Sequence, residues 1–141
     1  MISADRFLDE FTRWAEARSD ILAVALVGSY VRGSATPESD IDLVILAKDP
    51  DSLVRDAAWV ARFGPVQSRQ VEDYGRVTSV RIRYDGALEV EYGLTGSVWA
   101  AVPPDEGTRR TVSGGMRVLL EHDRLLSRLK EHCRDPLAGA S

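Results

Sequence analysis

Residues 26–46 read Leu-Val-Gly-Ser-Tyr-Val-Arg-Gly-Ser-Ala-Thr-Pro-Glu-Ser-Asp-Ile-Asp-Leu-Val-Ile-Leu. Two apolar runs flank a Gly-Ser turn, a short polar segment and a pair of aspartates. Side chains two apart on a strand share a face, about 6.5–7 Å from one another. Asp40 and Asp42 therefore repel each other from one side of a strand whose continuation, Leu43-Val44-Ile45-Leu46, is apolar enough to be interior. Packing offers no reward for two like charges losing hydration together. A bound divalent cation does, and paired carboxylate oxygens suit Mg²⁺.

The rest of the chain reads as alternating helices and strands. Residues 3–18 are expected to be helical. Ser3 is placed to cap, Asp5 lies in the first turn, and Phe7, Leu8, Phe11, Trp14 and Ala15 form one apolar face. Residues 21–27 form a continuous apolar run, the pattern of a strand buried on both faces. A short helix is expected from Ser29 to residue 34, a loop with Pro37 follows, and a second buried strand covers residues 41–46. Asp49-Pro50 is a helix start, with a cap before proline at the first position. That helix is expected to carry Leu53, Ala57, Val60 and Phe63 inward and to stop at Gly64-Pro65. An edge strand is expected over residues 66–72.

Residues 77–84 and 88–94 alternate around Asp85-Gly86, a hairpin signal. A two-residue turn would set Ile82 opposite Glu89. A loop one residue longer sets Arg83 opposite Glu89, Ile82 opposite Val90 and Arg81 opposite Glu91. The longer loop is preferred because it sorts apolar and charged side chains onto separate faces. Residues 95–115 are broken by glycine and proline, with only a short helix expected at residues 97–101. A last strand is expected at residues 116–121 and a closing helix at residues 123–133. The expected class is α/β (α+β), a mixed central sheet flanked by helices. Residues 1–141 are expected to form one domain, with a loose tail at 135–141.

Composition narrows the function. The net charge of −4 disfavours sequence-independent nucleic-acid binding. No apolar run approaches the roughly 20 residues of a membrane span. The one cysteine, Cys133, excludes an internal disulfide and a cysteine-based metal cluster, and with the acid-bearing amphipathic N-terminus it fits a cytoplasmic location. His122, His132 and Cys133 lack zinc-ligand spacing. Trp14 and Trp59 fall on helix faces and read as core. Trp99 is either core or part of an acceptor pocket.

Gly28 lets a backbone approach an anion, and Ser29 adds a hydroxyl and an N–H at a helix start. Alone, a Gly-Ser pair is a plain turn, and Asp-x-Asp alone is a solvated strand end. Together they are specific. Val27-Gly28-Ser29 followed by Asp40-Ile41-Asp42-Leu43 resembles the signature of the DNA polymerase β-type nucleotidyltransferase superfamily. The intervening Tyr30–Ser39 segment is similar to that of small bacterial members, which include minimal nucleotidyltransferases and antibiotic adenylyltransferases.

The resemblance implies a nucleotidyltransferase fold and a Mg²⁺-dependent reaction. A nucleoside monophosphate, AMP from ATP by analogy with the small relatives, would pass to a hydroxyl acceptor with release of pyrophosphate. Gly28 and Ser29 would hold the triphosphate, with Arg32 one turn further on as a second phosphate contact or a solvated side chain. Asp40 and Asp42 would bind two Mg²⁺ ions. A third carboxylate, Glu91 or Glu89, would act as metal ligand or base, and cross-strand pairing with Arg81 and Arg83 is the plainer reading of both. The acceptor is left open as a small molecule or a protein. A helical partner protein or a homodimer could complete the site. The competing readings are an antitoxin-like module that binds or modifies a helical partner, and a degenerate domain that binds nucleotide without turnover.

Overall fold

The computed structural model describes residues 3–32, 40–86 and 88–134. Six strands form one mixed sheet in the order β3-β4-β5-β2-β1-β6. They are β1 (Ile21–Val27), β2 (Ile41–Ala47), β3 (Val66–Asp73), β4 (Thr78–Tyr84), β5 (Glu89–Thr95) and β6 (Met116–Glu121). β2 and β5 pair in parallel, and every other neighbouring pair is antiparallel. The expected mixed sheet is thus observed, and β1 and β6 have the expected bounds.

Each face of the sheet carries its own core. Helix α1 (Ala4–Glu16) covers one face with Phe7, Leu8, Phe11 and Ala15, capped by Ser3, whose hydroxyl accepts from the Arg6 N–H. Beneath it lie Leu26, Ile41, Leu43, Ile45, Val80, Ile82, Val90 and Tyr92. Phe7 packs edge-on against Phe63 at 5.4 Å and lies beside Phe11 at 5.8 Å. Trp14 stacks on Trp59 at 5.0 Å, and both pack against this core. The Tyr84 hydroxyl donates to the Val60 carbonyl at 2.7 Å and shares a 2.8 Å hydrogen bond with Tyr92. Burial pushes the Tyr84 phenol up to about 12.

The second core lies on the opposite face, under α4 (Glu106–Ser113) and α5 (Leu125–Arg134). Ala23, Ala25, Val44 and Leu46 of the sheet meet Val112, Leu126 and Leu129 there. Trp99 is buried in this core and also lines a cavity with Tyr74, Arg76 and Thr108. No helix among the described residues is long and apolar enough to cross a membrane.

Three expectations need correction. The helix after Asp49 ends early: α3 covers Pro50–Arg55, and Ala58–Phe63 is a separate 3₁₀ helix. Asp56 makes the break, since its carboxylate accepts from the Ala58 N–H at 3.4 Å and offers the backbone a turn in place of helix. The reoriented segment lets the Trp59 indole N–H donate to the Leu53 carbonyl at 3.1 Å, and Leu53, Ala57, Val60 and Phe63 are all buried as expected. Helix α4 lies within the stretch read as irregular. Asp105 caps it by accepting from the Thr108 N–H at 2.7 Å, and this cap outweighs Gly107. Helix α5 starts at Leu125 because Asp123 and Arg124 take positive φ angles of 57° and 56°. Expectations for residues 33–39 and 135–141 lie outside the described residues.

Phe7 is fully buried and touches four aromatic rings. Phe7→Ala is expected to cost about 3–5 kcal/mol of stability. Urea unfolding checks this, as a lowered midpoint at unchanged slope.

Candidate active site

The pairing of β2 with its two neighbours assembles the site. Antiparallel pairing with β1 sets Asp42 opposite Val27, so the turn that ends β1 lies beside the start of β2. Parallel pairing with β5 sets Asp42 beside Glu91. Paired residues in a sheet project to the same face. Ile41, Leu43 and Ile45 point into the core under α1, whereas Val44 and Leu46 point into the core under α4 and α5. Asp42 shares the phase of Val44 and Leu46, so its carboxylate lies on the α4/α5 face. Asp40 precedes β2, and its contact with Arg81, the register partner of Glu91, brings it toward the same face.

Gly28 has φ +82°, a conformation that disfavours residues with a Cβ. A Cβ added there would overlap Asp42 Oδ2 and lie 3.3 Å from Asp42 Cγ. The aspartate carboxylate thus packs directly on the glycine backbone. Helix α2 (Ser29–Arg32) follows at once, and its first turn is closed by a 3.1 Å hydrogen bond from the Val31 N–H to the Gly28 carbonyl. Expectations for the side chains of Ser29 and Arg32 lie outside the described residues.

The β4–β5 hairpin takes the longer-loop register, with Arg83 opposite Glu89, Ile82 opposite Val90 and Arg81 opposite Glu91. The Tyr84 N–H donates to the Leu88 carbonyl at 2.8 Å to close it. Sorting of charge from apolar surface therefore overrides the two-residue turn that Asp-Gly favours. Arg81 Nη2 lies 2.6 Å from Glu91 Oε2, and Arg81 Nη1 lies 3.7 Å from Asp40 Oδ2. Arg83 pairs with Glu89 at 3.6 Å.

The electrostatics follow from this arrangement. Burial, a hydrogen bond with Asp40 and the Asp40 charge push the Glu89 carboxyl above the usual glutamate range, against the pull of Arg83 and Arg81. Burial alone would lower the Arg81 guanidinium, but Glu91 and Asp40 hold it above its ordinary value. The donors at this end of the face are hard carboxylate oxygens, the ligand type of Mg²⁺. Among the described residues no three acids converge into a ready cation cage. A cation does stand among them, namely the Arg81 guanidinium between Asp40 and Glu91. The donor set suits a divalent ion in kind.

Sequence reasoning paired Arg81 with Glu91 but missed its contact with Asp40, because that contact crosses the intervening strand β5. Register on a single hairpin carries no signal for it.

Comparison with known proteins gives a consistent result. The family model described as a nucleotidyltransferase domain matches residues 8–98. A protein of Methanocaldococcus jannaschii that bears the name "putative protein adenylyltransferase" is 38% identical over 47 residues, which is 32% of this chain and 32% of that protein. An aminoglycoside 6-adenyltransferase from Bacillus subtilis superposes with a TM-score of 0.55 at 18% identity, over 68% of this chain and 36% of that one. The polymerase core of TRAMP, an RNA surveillance complex, superposes with a TM-score of 0.47 at 17% identity, over 66% of this chain and 32% of that one. The matched segments thus span about a third of the length of each relative.

The contact between Gly28 and Asp42 can be tested as a coupling. Gly28→Ala is expected to destabilise the protein by about 1–3 kcal/mol, from the positive φ and the collision together. In a background of Asp42→Ala the same change should cost measurably less, because only the backbone strain remains. A thermal-unfolding double-mutant cycle checks this, and strict additivity would contradict the contact.

Proposed function

This chain belongs to the nucleotidyltransferase domain family of the DNA polymerase β-type superfamily, and from that premise we propose that it transfers AMP from ATP to a hydroxyl acceptor. The observation that carries the reading is the packing of the Asp42 carboxylate on the Gly28 backbone, with Glu91 in register beside it. A turn suited to phosphate and acids suited to a cation then serve one substrate, a metal-bound triphosphate.

In this reading Asp40, Asp42 and Glu91 hold Mg²⁺, with two ions expected. When bound, Mg²⁺ neutralises triphosphate charge and lowers the pKa of the attacking hydroxyl. The Gly28-Ser29 turn holds the outer phosphates, with Gly28 allowing the close approach, and Arg32 is a further candidate for phosphate. The acceptor hydroxyl gives its proton to water as its oxygen forms the bond to the α-phosphorus, the bond to the bridging oxygen breaks and pyrophosphate leaves. Positioning and charge neutralisation supply the acceleration.

Glu91 is preferred to Glu89 as the third carboxylate. Glu91 is the register partner of Asp42, whereas burial and Asp40 push Glu89 toward its protonated form. The choice of AMP follows the Methanocaldococcus jannaschii relative, a putative protein adenylyltransferase by name, and that name also favours a protein hydroxyl as acceptor.

The test is label transfer from α-phosphate-labelled ATP with Mg²⁺ into extract of the native cell. Asp42→Ala is expected to lower labelling by about a thousandfold or more while leaving the circular dichroism spectrum unchanged. Full labelling by this variant would overturn the reading. Glu91→Gln is expected to lower labelling by about a hundredfold or more, and Glu89→Gln by less than about tenfold. The reverse order would reassign the third carboxylate to Glu89.

A further inference from the structure

Arg81 has a longer reach than a cross-strand pair requires. Arg83, two residues along the same strand, meets only its direct partner Glu89 among the ion pairs of the described residues. Arg81 meets its direct partner Glu91 at 2.6 Å and also reaches across β5 to Asp40 at 3.7 Å. Its positive charge therefore lies between carboxylates of two different strands. A divalent cation on these carboxylates would compete with Arg81 for Asp40 Oδ2 and Glu91 Oε2. The two positive charges would also repel at short range. The Arg81 side chain is 37% exposed, so it has open solvent into which to withdraw.

We propose that Arg81 is a displaceable counter-ion: it neutralises Asp40 and Glu91 in the metal-free protein and leaves when a divalent cation binds, so that it sets the threshold for cation binding. The inference rests on reading Asp40, Asp42 and Glu91 as cation ligands. It gives Arg81 a positioning role. A free divalent ion has to expel the guanidinium unaided. An ion that arrives with a triphosphate brings anionic oxygens to which Arg81 can turn. Cation and nucleotide then bind in a mutually dependent way, and binding of the bare ion is suppressed.

The experiment is titration of the full chain with Mn²⁺ alone, without nucleotide, following free Mn²⁺ by electron paramagnetic resonance. Arg81→Gln is expected to bind Mn²⁺ about tenfold more tightly than wild type, because a competing charge is gone. Arg81→Lys, which keeps the charge, is expected to restore weak binding. Asp42→Asn is expected to lose binding. If Arg81→Gln binds Mn²⁺ no more tightly than wild type while Asp42→Asn loses it, the counter-ion role is wrong and the cation reading survives. If Asp42→Asn binds as wild type does, the cation reading itself fails and takes this inference with it. A measurement on the unmutated protein covers the case in which Arg81→Gln does not fold. The Arg81 guanidinium NMR resonances are expected to shift and exchange faster with water as Mg²⁺ is added. Resonances that stay in place while the Asp42 signals respond would overturn the proposal.

Discussion

The position of β2 between β1 and β5 is the constraint on which the site depends. One residue, Asp42, is in register with Val27 on one side and Glu91 on the other. The antiparallel side brings the end of β1, and with it Gly28, back to the start of β2. The parallel side brings the start of β5 to the same level. A slip of one residue on either side would turn the acid toward the α1 core or separate it from its neighbours. Apolar alternation fixes the register, with Ile41, Leu43 and Ile45 on one face and Val44 and Leu46 on the other. Hydrophobic packing thus determines where the charges stand.

The α4/α5 face of the sheet is divided along its strands. Where Ala23, Ala25, Val44 and Leu46 face outward, helices cover it. Where Asp40, Asp42, Glu89 and Glu91 face outward, Arg81 and Arg83 lie alongside. A charged floor beneath an apolar helix would lose hydration without adequate compensation, and the arginines supply part of that compensation here.

Much of this was legible in the chain. The continuous apolar runs at residues 21–27 and 41–46 marked central strands, since buried strands leave no polar alternation. Matching Arg81 to Glu91 and Ile82 to Val90 gave the hairpin register despite the Asp-Gly turn. The break at Asp56 was not legible, because an aspartate that ends a helix differs from one on its surface only by where the next residues must pack. Helix α4 was obscured by the glycines around it, although Asp105 three residues before Thr108 was a usable cap signal. The paired positive φ angles at Asp123 and Arg124 left no trace in composition. The reach of Arg81 to Asp40 required the order of three strands, and local pattern does not encode that order.

In the proposed function, one cation-bound triphosphate bridges the Gly28 turn and the carboxylates of Asp40, Asp42 and Glu91. Anomalous diffraction from crystals grown with Mn²⁺ and a non-hydrolysable ATP analogue tests this most directly. A manganese peak is expected about 2.0–2.3 Å from oxygens of Asp40 and Asp42, with the phosphate chain against the Gly28 backbone. A peak elsewhere, or phosphates bound away from that turn, would contradict it.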